Sequence, residues 1–492
     1  MQVVIAGGGV GGLTAALALA RQGHRVQVVD RDDSPRPADV AAAAGWPRRG
    51  VAQFQQPHAF LARLFQELDR GLPDVLDSLR AIGVPQVALI DGLQAMWCRR
   101  STLEWVMRGM AEAEPRVSMT YAAVADVQVD DGAVTGVVLA DGSVLAADLV
   151  VDATGRRGRL SHPWSREAVD EPAEEVYTSR RYRTLPGASF GPVNRGVISV
   201  AEGDGYALLV FPHDADVFTV CFTRLPDDPE LAALREEPVF EAATRLVPLA
   251  ADWTSARRAE PVSDVVVMGG LRNAFRVLHP SAPLGLHPLA DAVCTTNPRF
   301  GRGTSLAVAH ALRLAEAVAA APGDARSWRA QLDLWENGEL RDWFDDARRT
   351  DRARAARWRT VRDGRPPSVP PAAPGAAVGH GRAAAGGGSP GGGADAGRAV
   401  PHLMVLAAAG ADRTVGRAVL RHMHLVDPPS ALEAVRPRVA ELLARGWLPG
   451  RPVPGEPAPG PAQAPAGASS SGPGAPPRRQ LVDELRSVSG SR

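Results

Sequence analysis

The sequence predicts an α/β protein in which a parallel sheet of βαβ units is joined to an antiparallel sheet and followed by helices. Three observations carry that expectation. The chain opens on a continuous apolar run, Gln2–Ala6, followed by glycines, strong helix formers and a second apolar run. Strands apolar on both faces belong to parallel sheets covered by helices. Between Ala123 and Val151, short apolar stretches are joined by Asp131-Gly132 and Asp141-Gly142, a hairpin signal. The chain has 492 residues, 45% hydrophobic and 22% charged, which is enough for about two or three domains with sizeable cores.

The 55 basic and 55 acidic residues cancel, so nucleic acid or an acidic membrane is not expected as the main partner. Every basic residue among them is arginine. The absence of lysine excludes a lysine base or Schiff base. Cys98, Cys221 and Cys294 stand far apart with no C-x-x-C. Neither a disulfide framework nor a zinc site is expected, and a reducing cytoplasm is the default. The apolar stretch Val3–Ala20 is interrupted by five glycines between Gly7 and Gly12. It reads as strand, turn and helix in a protein with no transmembrane segment.

In chain order, Gln2–Ala6 is a buried strand and Leu13–Arg21 a helix. The helix closes at Gly23, where a C-terminus favours a left-handed residue. Arg25–Val29 is a strand ending at Asp30, and Asp148–Asp152 a further buried strand running into Ala153-Thr154-Gly155. Val176–Thr184, Gly196–Val200, Tyr206–Phe211 and Val217–Phe222 alternate as in an antiparallel sheet with one covered face. Ala290–Cys294 leads through a Pro/Gly turn into a helix over Thr304–Ala320. Beyond Trp328 the chain is helical and arginine-rich to about Arg362, and helical patterning returns at Leu403–Met423 and Ser430–Arg445. Gly364–Val400 and Leu448–Pro477 are Pro/Gly/Ala-rich and are expected to be mobile.

The first chemical signal is Gly7-x-Gly9-x-x-Gly12 between strand and helix, with Asp30 closing the next strand. The glycines permit a tight turn, close approach of a pyrophosphate, and close packing of helix on sheet. The helix N-terminus offers N–H donors to the phosphates, and the carboxylate accepts ribose hydroxyls. An acid at position 30 favours an unphosphorylated ribose, hence FAD or NAD.

Two later segments separate these cofactors: Asp148–Gly155, and Asp291 through Asn297-Pro298-Arg299-Phe300-Gly301-Arg302-Gly303-Thr304 to Ser305. On them the sequence resembles the FAD-dependent oxidoreductases of the p-hydroxybenzoate hydroxylase type, the class A flavoprotein monooxygenases. The resemblance covers Met1–Ala320 and, more weakly, Leu403–Arg445. It implies a discontinuous Rossmann-like FAD-binding domain (1–160 plus 261–320) and an antiparallel β substrate domain (161–260). Composition and helical patterning add C-terminal helices (321–363 and 401–447), a low-complexity linker (364–400) and a mobile tail (448–492).

The resemblance implies FAD held by Gly7, Gly9, Gly12 and Asp30, with Arg100 at a helix start on the phosphates and Val124 beside the adenine. Asp291 would bind the ribityl chain, and Pro298, Gly301 and Gly303 would let the backbone pass the isoalloxazine ring. The helix near Thr304 would direct its N-terminus at the N1/O2 edge, where negative charge develops on reduction. The implied chemistry is hydroxylation or epoxidation of a small apolar substrate by a flavin C4a-hydroperoxide formed from O2. Electrons would come from NAD(P)H or a reductase partner; no side chain acts as a catalytic nucleophile, and no metal is required. Two other readings share the signature: an FAD-dependent reductase or dehydrogenase of the geranylgeranyl reductase type, and a non-catalytic flavin-binding protein. A halogenase of this fold requires a lysine and a Trp-x-Trp-x-Ile-Pro signature, and the chain has neither.

Two departures stand out. Ala290-Asp291 replaces the family's Gly-Asp, which is expected to crowd the ribityl site. Thr154-Gly155 and Gly158 stand where hydroxylases carry Asp-Gly and Ser, positions tied to cofactor and NAD(P)H handling. The remaining signals have bland readings. His422 and His424, two apart on a helix, are expected to be a solvated pair rather than metal ligands. The arginines of Arg341–Arg362 alternate with acids, as on a salt-bridged solvent face. Trp97 with Trp105, and Trp335 with Trp343, have core spacing. Gly50, Gln53 and His58 lie where related proteins place a flavin-facing loop, and Cys294 is expected to serve packing.

Overall fold

The computed structural model describes residues 1–51, 53–365, 400–449, 453–454 and 475–490. Five parallel strands form the first sheet, in the order Leu286–Pro288, Leu149–Asp152, Gln2–Ala6, Arg25–Asp30 and Val117–Tyr121. Val3, Val4, Ile5 and Ala6 are fully buried because both faces are covered, Val3 and Ile5 by helices and Val4 and Ala6 by the residues Val134, Val137 and Leu139 of a small antiparallel sheet. The helix Val10–Arg21 is buried everywhere except at Arg21 and packs on the helices Arg302–Ala320 and Arg100–Ala113. It starts at Val10, three residues ahead of the expected start, so Gly11 and Gly12 are helical. The Asp131-Gly132 and Asp141-Gly142 turns join the antiparallel strands Val124–Asp130, Ala133–Leu139 and Val144–Ala146. Asp131 and Gly132 have φ of 44° and 72°, the left-handed pair that a tight hairpin needs.

A six-stranded antiparallel sheet follows. Its order is Ser199–Glu202, Tyr206–Pro212, Val217–Arg224, Val176–Thr184 and Ala259–Pro261, with Val266–Met268 also paired to Val176–Thr184. The strands Tyr206–Pro212 and Val217–Arg224 are buried on both faces rather than one. Leu208, Val210, Val220 and Phe222 pack with the helices Glu237–Leu246 and Pro248–Thr254. Leu209, Phe211 and Cys221 pack with Trp343 and Trp358 of the C-terminal helix Arg341–Arg362. Antiparallel structure also continues past Glu260: Arg272–Leu278 pairs with Ser165–Pro172 and with Cys294–Thr295 before the chain re-enters the parallel sheet.

The expected mobile tail is corrected over Arg478–Gly490, which is a helix docked on Glu237–Leu246. Leu481, Val482 and Leu485 fill the core there, and Arg478 makes a bidentate pair with Asp228 at 2.7 and 2.8 Å. The low-complexity stretch 364–400 falls, but for its ends, outside the described residues, as does most of 448–477. The helix Arg341–Arg362 is not wholly a solvent face. Its arginines do pair outward, as Arg348 and Arg352 do with Glu171, but Asp346, Asp351 and Arg354 are buried. Among the described residues no helix is long and apolar enough to cross a membrane.

Candidate functional site

The turn after the first strand divides its glycines by task. Gly7 has φ +113°, and a Cβ there would stand 2.2 Å from the Ala153 carbonyl oxygen. A Cβ on Gly12 would stand 2.0 Å from the Gly7 carbonyl oxygen. Both are therefore demanded by packing. Gly9 differs, since its Cβ position has no atom within 4 Å and borders open space. It caps the following helix without a side-chain hydrogen bond and with no acid in the first turn, leaving N–H donors directed into that space.

Asp30 ends the adjacent strand and is buried. Its carboxylate accepts from the Asp32 N–H at 3.0 Å and from Arg48 Nη1 at 3.0 Å. Arg48 also donates to the Gly8 carbonyl at 3.0 Å and lies 3.4 Å from Glu104, whose other oxygen holds Arg100 at 2.7 Å. An ionised carboxylate has about four acceptor sites, so Asp30 retains capacity for a ligand hydroxyl. Arg48 had no motif to betray it: it lies on a loop and meets Asp30 only through folding. The Ala122 N–H donates to the Asp30 carbonyl at 3.0 Å, which sets Val124 beside this corner.

Ala290 and Asp291 enter from the opposite side. Ala290 has φ +56°, a conformation that favours glycine. Its N–H donates to His310 Nδ1 at 3.3 Å, so His310 Nε2 carries the proton given to Glu336 at 2.9 Å. The Ala290 methyl is accommodated beside Gly11, whose own Cβ would stand 3.3 Å from it. The partly buried Asp291 carboxyl has no hydrogen bond among the described residues. Burial pushes its pKa up, against the pull of Arg100, Arg156 and Arg276. Asp152, fully buried, shapes the neighbouring loop by accepting from Thr154, Leu160 and Ser161 N–H groups at 3.1, 3.0 and 2.8 Å. Thr154 and Gly158 (φ +50°) thus serve a loop wound around one carboxylate.

The segment Pro298–Gly303 is clamped from below. Asn297 is fully buried; its Nδ2 donates to Glu175 at 2.8 Å and to Asp351 at 2.9 Å, and its N–H to Asn273 Oδ1 at 2.8 Å. Burial alone would raise the pKa of Glu175, but Arg354 and Arg299, at 2.8 and 2.7 Å, hold it at about 2. Gly301 has φ +63°, and a Cβ there would stand 3.1 Å from Ala59. The helix begins at Arg302, two residues before the expected start, with Thr304 inside its first turn. It has no side-chain cap and no first-turn acid, and the Cβ position of Gly303 is open. His58 lies close enough to Arg100 to feel its charge; burial and then that charge push it down to about 3. Gly50 lies beside Arg31, with a Cβ position 3.6 Å from the guanidinium, and Gln56 rather than Gln53 reaches the large sheet, through Ser179 at 3.0 Å. Cys294 is partly buried, its thiol pushed well up by burial, as packing requires.

The Gly7–Gly12 turn, Asp30, Arg100 and Asp291 are thus linked at the C-terminal ends of the parallel strands, where such sheets bind ligands: Gly11 meets Ala290, the charge of Arg100 acts on Asp291, and Glu104 joins Arg100 to Arg48 and Asp30. Together they offer an unpartnered carboxylate, two helix starts without caps, and a glycine bordering open space. That donor set fits an elongated ligand with phosphates at one end and hydroxyls along its chain, as FAD has.

Beyond the Pro298–Gly303 segment lies a cavity of about 280 Å³, lined by Phe300 and Arg302 of that segment, by Val197 and Leu209 of the sheet side, and by the C-terminal helices. The two histidines expected to be solvated lie on its wall and are buried, which corrects that expectation. The helix Arg413–Met423 ends before His424, so helical spacing does not govern the pair. His422 Nε2 is 3.2 Å and His402 Nε2 3.5 Å from the buried Asp346. These three could ligate a metal by proximity alone, against the expectation of none. Arg302 at 2.6 Å and Arg349 at 3.0 Å already match the carboxylate's charge, so the cluster is an ion-pair network.

A family model described as FAD dependent oxidoreductase matches residues 2–162. The chain is 27% identical over 362 residues to Protein Rv3254 of Mycobacterium tuberculosis, covering 64% of this chain and 73% of that protein. It is 26% identical over 326 residues to a Rhodococcus erythropolis protein named probable 2-heptyl-3-hydroxy-4(1H)-quinolone synthase AqdB2, covering 64% and 79% respectively. The crystal structure of PqsL from Pseudomonas aeruginosa, described as a probable FAD-dependent monooxygenase, superposes with a TM-score of 0.54. That alignment has 19% identity and covers 74% of this chain and 99% of that one.

Proposed function

We propose that the chain is an FAD-dependent oxidoreductase of the p-hydroxybenzoate hydroxylase type, in line with its match to the FAD dependent oxidoreductase family over residues 2–162, and that it oxygenates a small, largely apolar organic molecule. The observation that carries the proposal is the mostly apolar cavity whose wall includes Phe300 and Arg302, in the segment assigned to the isoalloxazine. FAD, once reduced, supplies the activation of O2. The chain's part is binding, orientation and exclusion of water.

In this reading Gly9 and the helix behind it receive the pyrophosphate, Asp30 the ribose, and Arg100 the phosphates. Val124 borders the adenine, Asp291 the ribityl hydroxyls, and Gly7 and Gly12 shape the turn. Pro298, Gly301, Gly303 and Thr304 present backbone to the ring. The cofactor unit is 1–160 with 261–320, adjusted for the antiparallel strands that run on to Leu278. The residues 161–260 and the C-terminal helices enclose the substrate. O2 as co-substrate, NAD(P)H or a separate reductase as electron source, and a cytoplasmic location complete the proposal. Reduced holoenzyme, mixed with O2 in the presence and absence of apolar organic acids and phenols, tests it. Transfer of an oxygen atom from labelled O2 to one of these compounds is expected; flavin oxidation that never labels an organic product would count against it.

A further inference from the structure

The cavity is not apolar throughout. His424 is 1% exposed and is turned by its own hydrogen bonds: the Ala62 N–H donates to its Nδ1 at 3.1 Å, and the Arg63 N–H to its carbonyl at 3.1 Å. These two bonds cap the helix Ala62–Gly71, whose preceding residue offers no side-chain cap. Because Nδ1 accepts, the neutral ring carries its proton on Nε2, and burial keeps the ring neutral by pushing its pKa down to about 4. Nε2 has no partner among the described residues. It faces Gly196, where a Cβ would stand 3.1 Å away. The next residue along that wall is Arg195, which lines the same cavity and has no contact ion pair or side-chain hydrogen bond among the described residues, though the charge of Glu202 reaches it. Of the other arginines around the cavity, Arg299 is matched by Glu175 and Glu202, Arg302 by Asp346, and Arg354 by Glu175 and Asp351, whereas Arg357 is exposed to solvent.

We infer that His424 Nε2–H and the Arg195 guanidinium form a polar end of the cavity that recognises a carboxylate on an otherwise apolar substrate. A free neutral donor and a cation without a contact ion pair on one cavity wall form a pairing that a carboxylate completes, because each of its oxygens accepts. A neutral substrate would leave the partly buried guanidinium with only the charge of Glu202, which Arg299 already shares, and that disfavours it. Glu202 is the acid on this wall, and its ion pair with Arg299 offsets its charge toward the proposed anion.

The inference rests on assigning this cavity to the substrate, and the test separates the two. Holoenzyme is titrated calorimetrically with benzoate, 1-naphthoate and octanoate, and with the three corresponding amides. At least one acid should bind about tenfold or more tighter than its amide. Arg195→Gln should bring that ratio below about threefold, with amide affinity and FAD content retained. His424→Asn keeps an acceptor for the Ala62 N–H, while its shorter side chain places no donor at the Nε2 position, and it too should lower the ratio. Equal affinity for acid and amide, or a preference that survives both substitutions, would overturn the carboxylate inference and leave an oxygenase of neutral substrates standing. If no acid and no amide binds, the cavity is not the substrate site, and the assignment beneath the inference fails with it.

Discussion

Asn297 Nδ2 donates to Glu175 across 2.8 Å, joining the residue ahead of Pro298 to a fully buried carboxylate of the antiparallel half of the molecule. The two stand 122 residues apart, so the segment assigned to the isoalloxazine is set by the sheet it faces. Removing that charge leaves Arg299 with only the half-exposed Glu202 and makes Arg354 depend on Asp351 alone. Glu175→Gln should therefore cost roughly 3 kcal/mol at neutral pH, as breaking buried ion pairs does. The pKa of Glu175 is lowered, from an ordinary 4.5 to about 2. Its contribution is complete above pH 4.5 and is lost as pH falls toward 2. Urea unfolding at neutral pH and again near pH 3 should show the gap between wild type and variant closing with acid. A gap that is constant or widens would contradict the ion-pair account.

Ala290 occupies a glycine-type conformation at φ +56°. Left-handed backbone costs an alanine about 1–2 kcal/mol, and glycine returns some of the relief through its unfolded-state entropy. Ala290→Gly should raise stability by about 0.5–1 kcal/mol, or roughly 2 °C in melting temperature. Calorimetric scans of the two proteins decide it, and a fall in melting temperature would mean that the contact with Gly11 outweighs the strain.

Thr304 lies in the first turn of a helix with no cap and no acid of its own. A carboxylate there would oppose negative charge on the reduced ring. Thr304→Asp should lower the flavin midpoint potential by about 20–45 mV, the equivalent of 1–2 kcal/mol for two electrons. Spectroelectrochemical titration measures it. An unchanged or raised potential with FAD still bound would mean that this helix does not face N1.

The helix Arg478–Gly490 buries Leu481, Val482 and Leu485 and pairs Arg478 with Asp228. Deleting 475–492 should uncover the core beside Phe240 and cost several kcal/mol, about 2–4 for the apolar contacts alone. Chemical denaturation of the truncated chain reads this directly; unaltered stability would show that the docking is dispensable.

What was legible in the sequence was local. Gly7, Gly12 and Asp30 announce themselves because turn, helix and strand sit within a few residues, and Asp131-Gly132 fixes a hairpin through two residues. What escaped is long-range. Arg48 acquires meaning only when folding brings Gly8, Asp30 and Glu104 around it. His424 caps a helix 362 residues earlier in the chain, a relation no spacing encodes. The two-residue spacing of His422 and His424 suggests a solvated pair on one helix, whereas the helix stops at Met423 and each ring finds its own buried partner. The tail helix was hidden by the low-complexity text before it, although its own apolar spacing was helical.

The central claim is that the cofactor lies in a cleft bordered by Gly9 and Asp291, and Gly9→Val tests it most directly. Gly9 has extended backbone, φ −86° and ψ −176°, and its Cβ position is open, so the protein itself tolerates a side chain there. The measurement is FAD per chain in purified wild type and variant, with the melting temperature of each apoprotein as the control for folding. The account predicts about one acid-releasable FAD per wild-type chain, almost none in the variant, and equal apoprotein melting temperatures. A variant that keeps its full complement of FAD would contradict it.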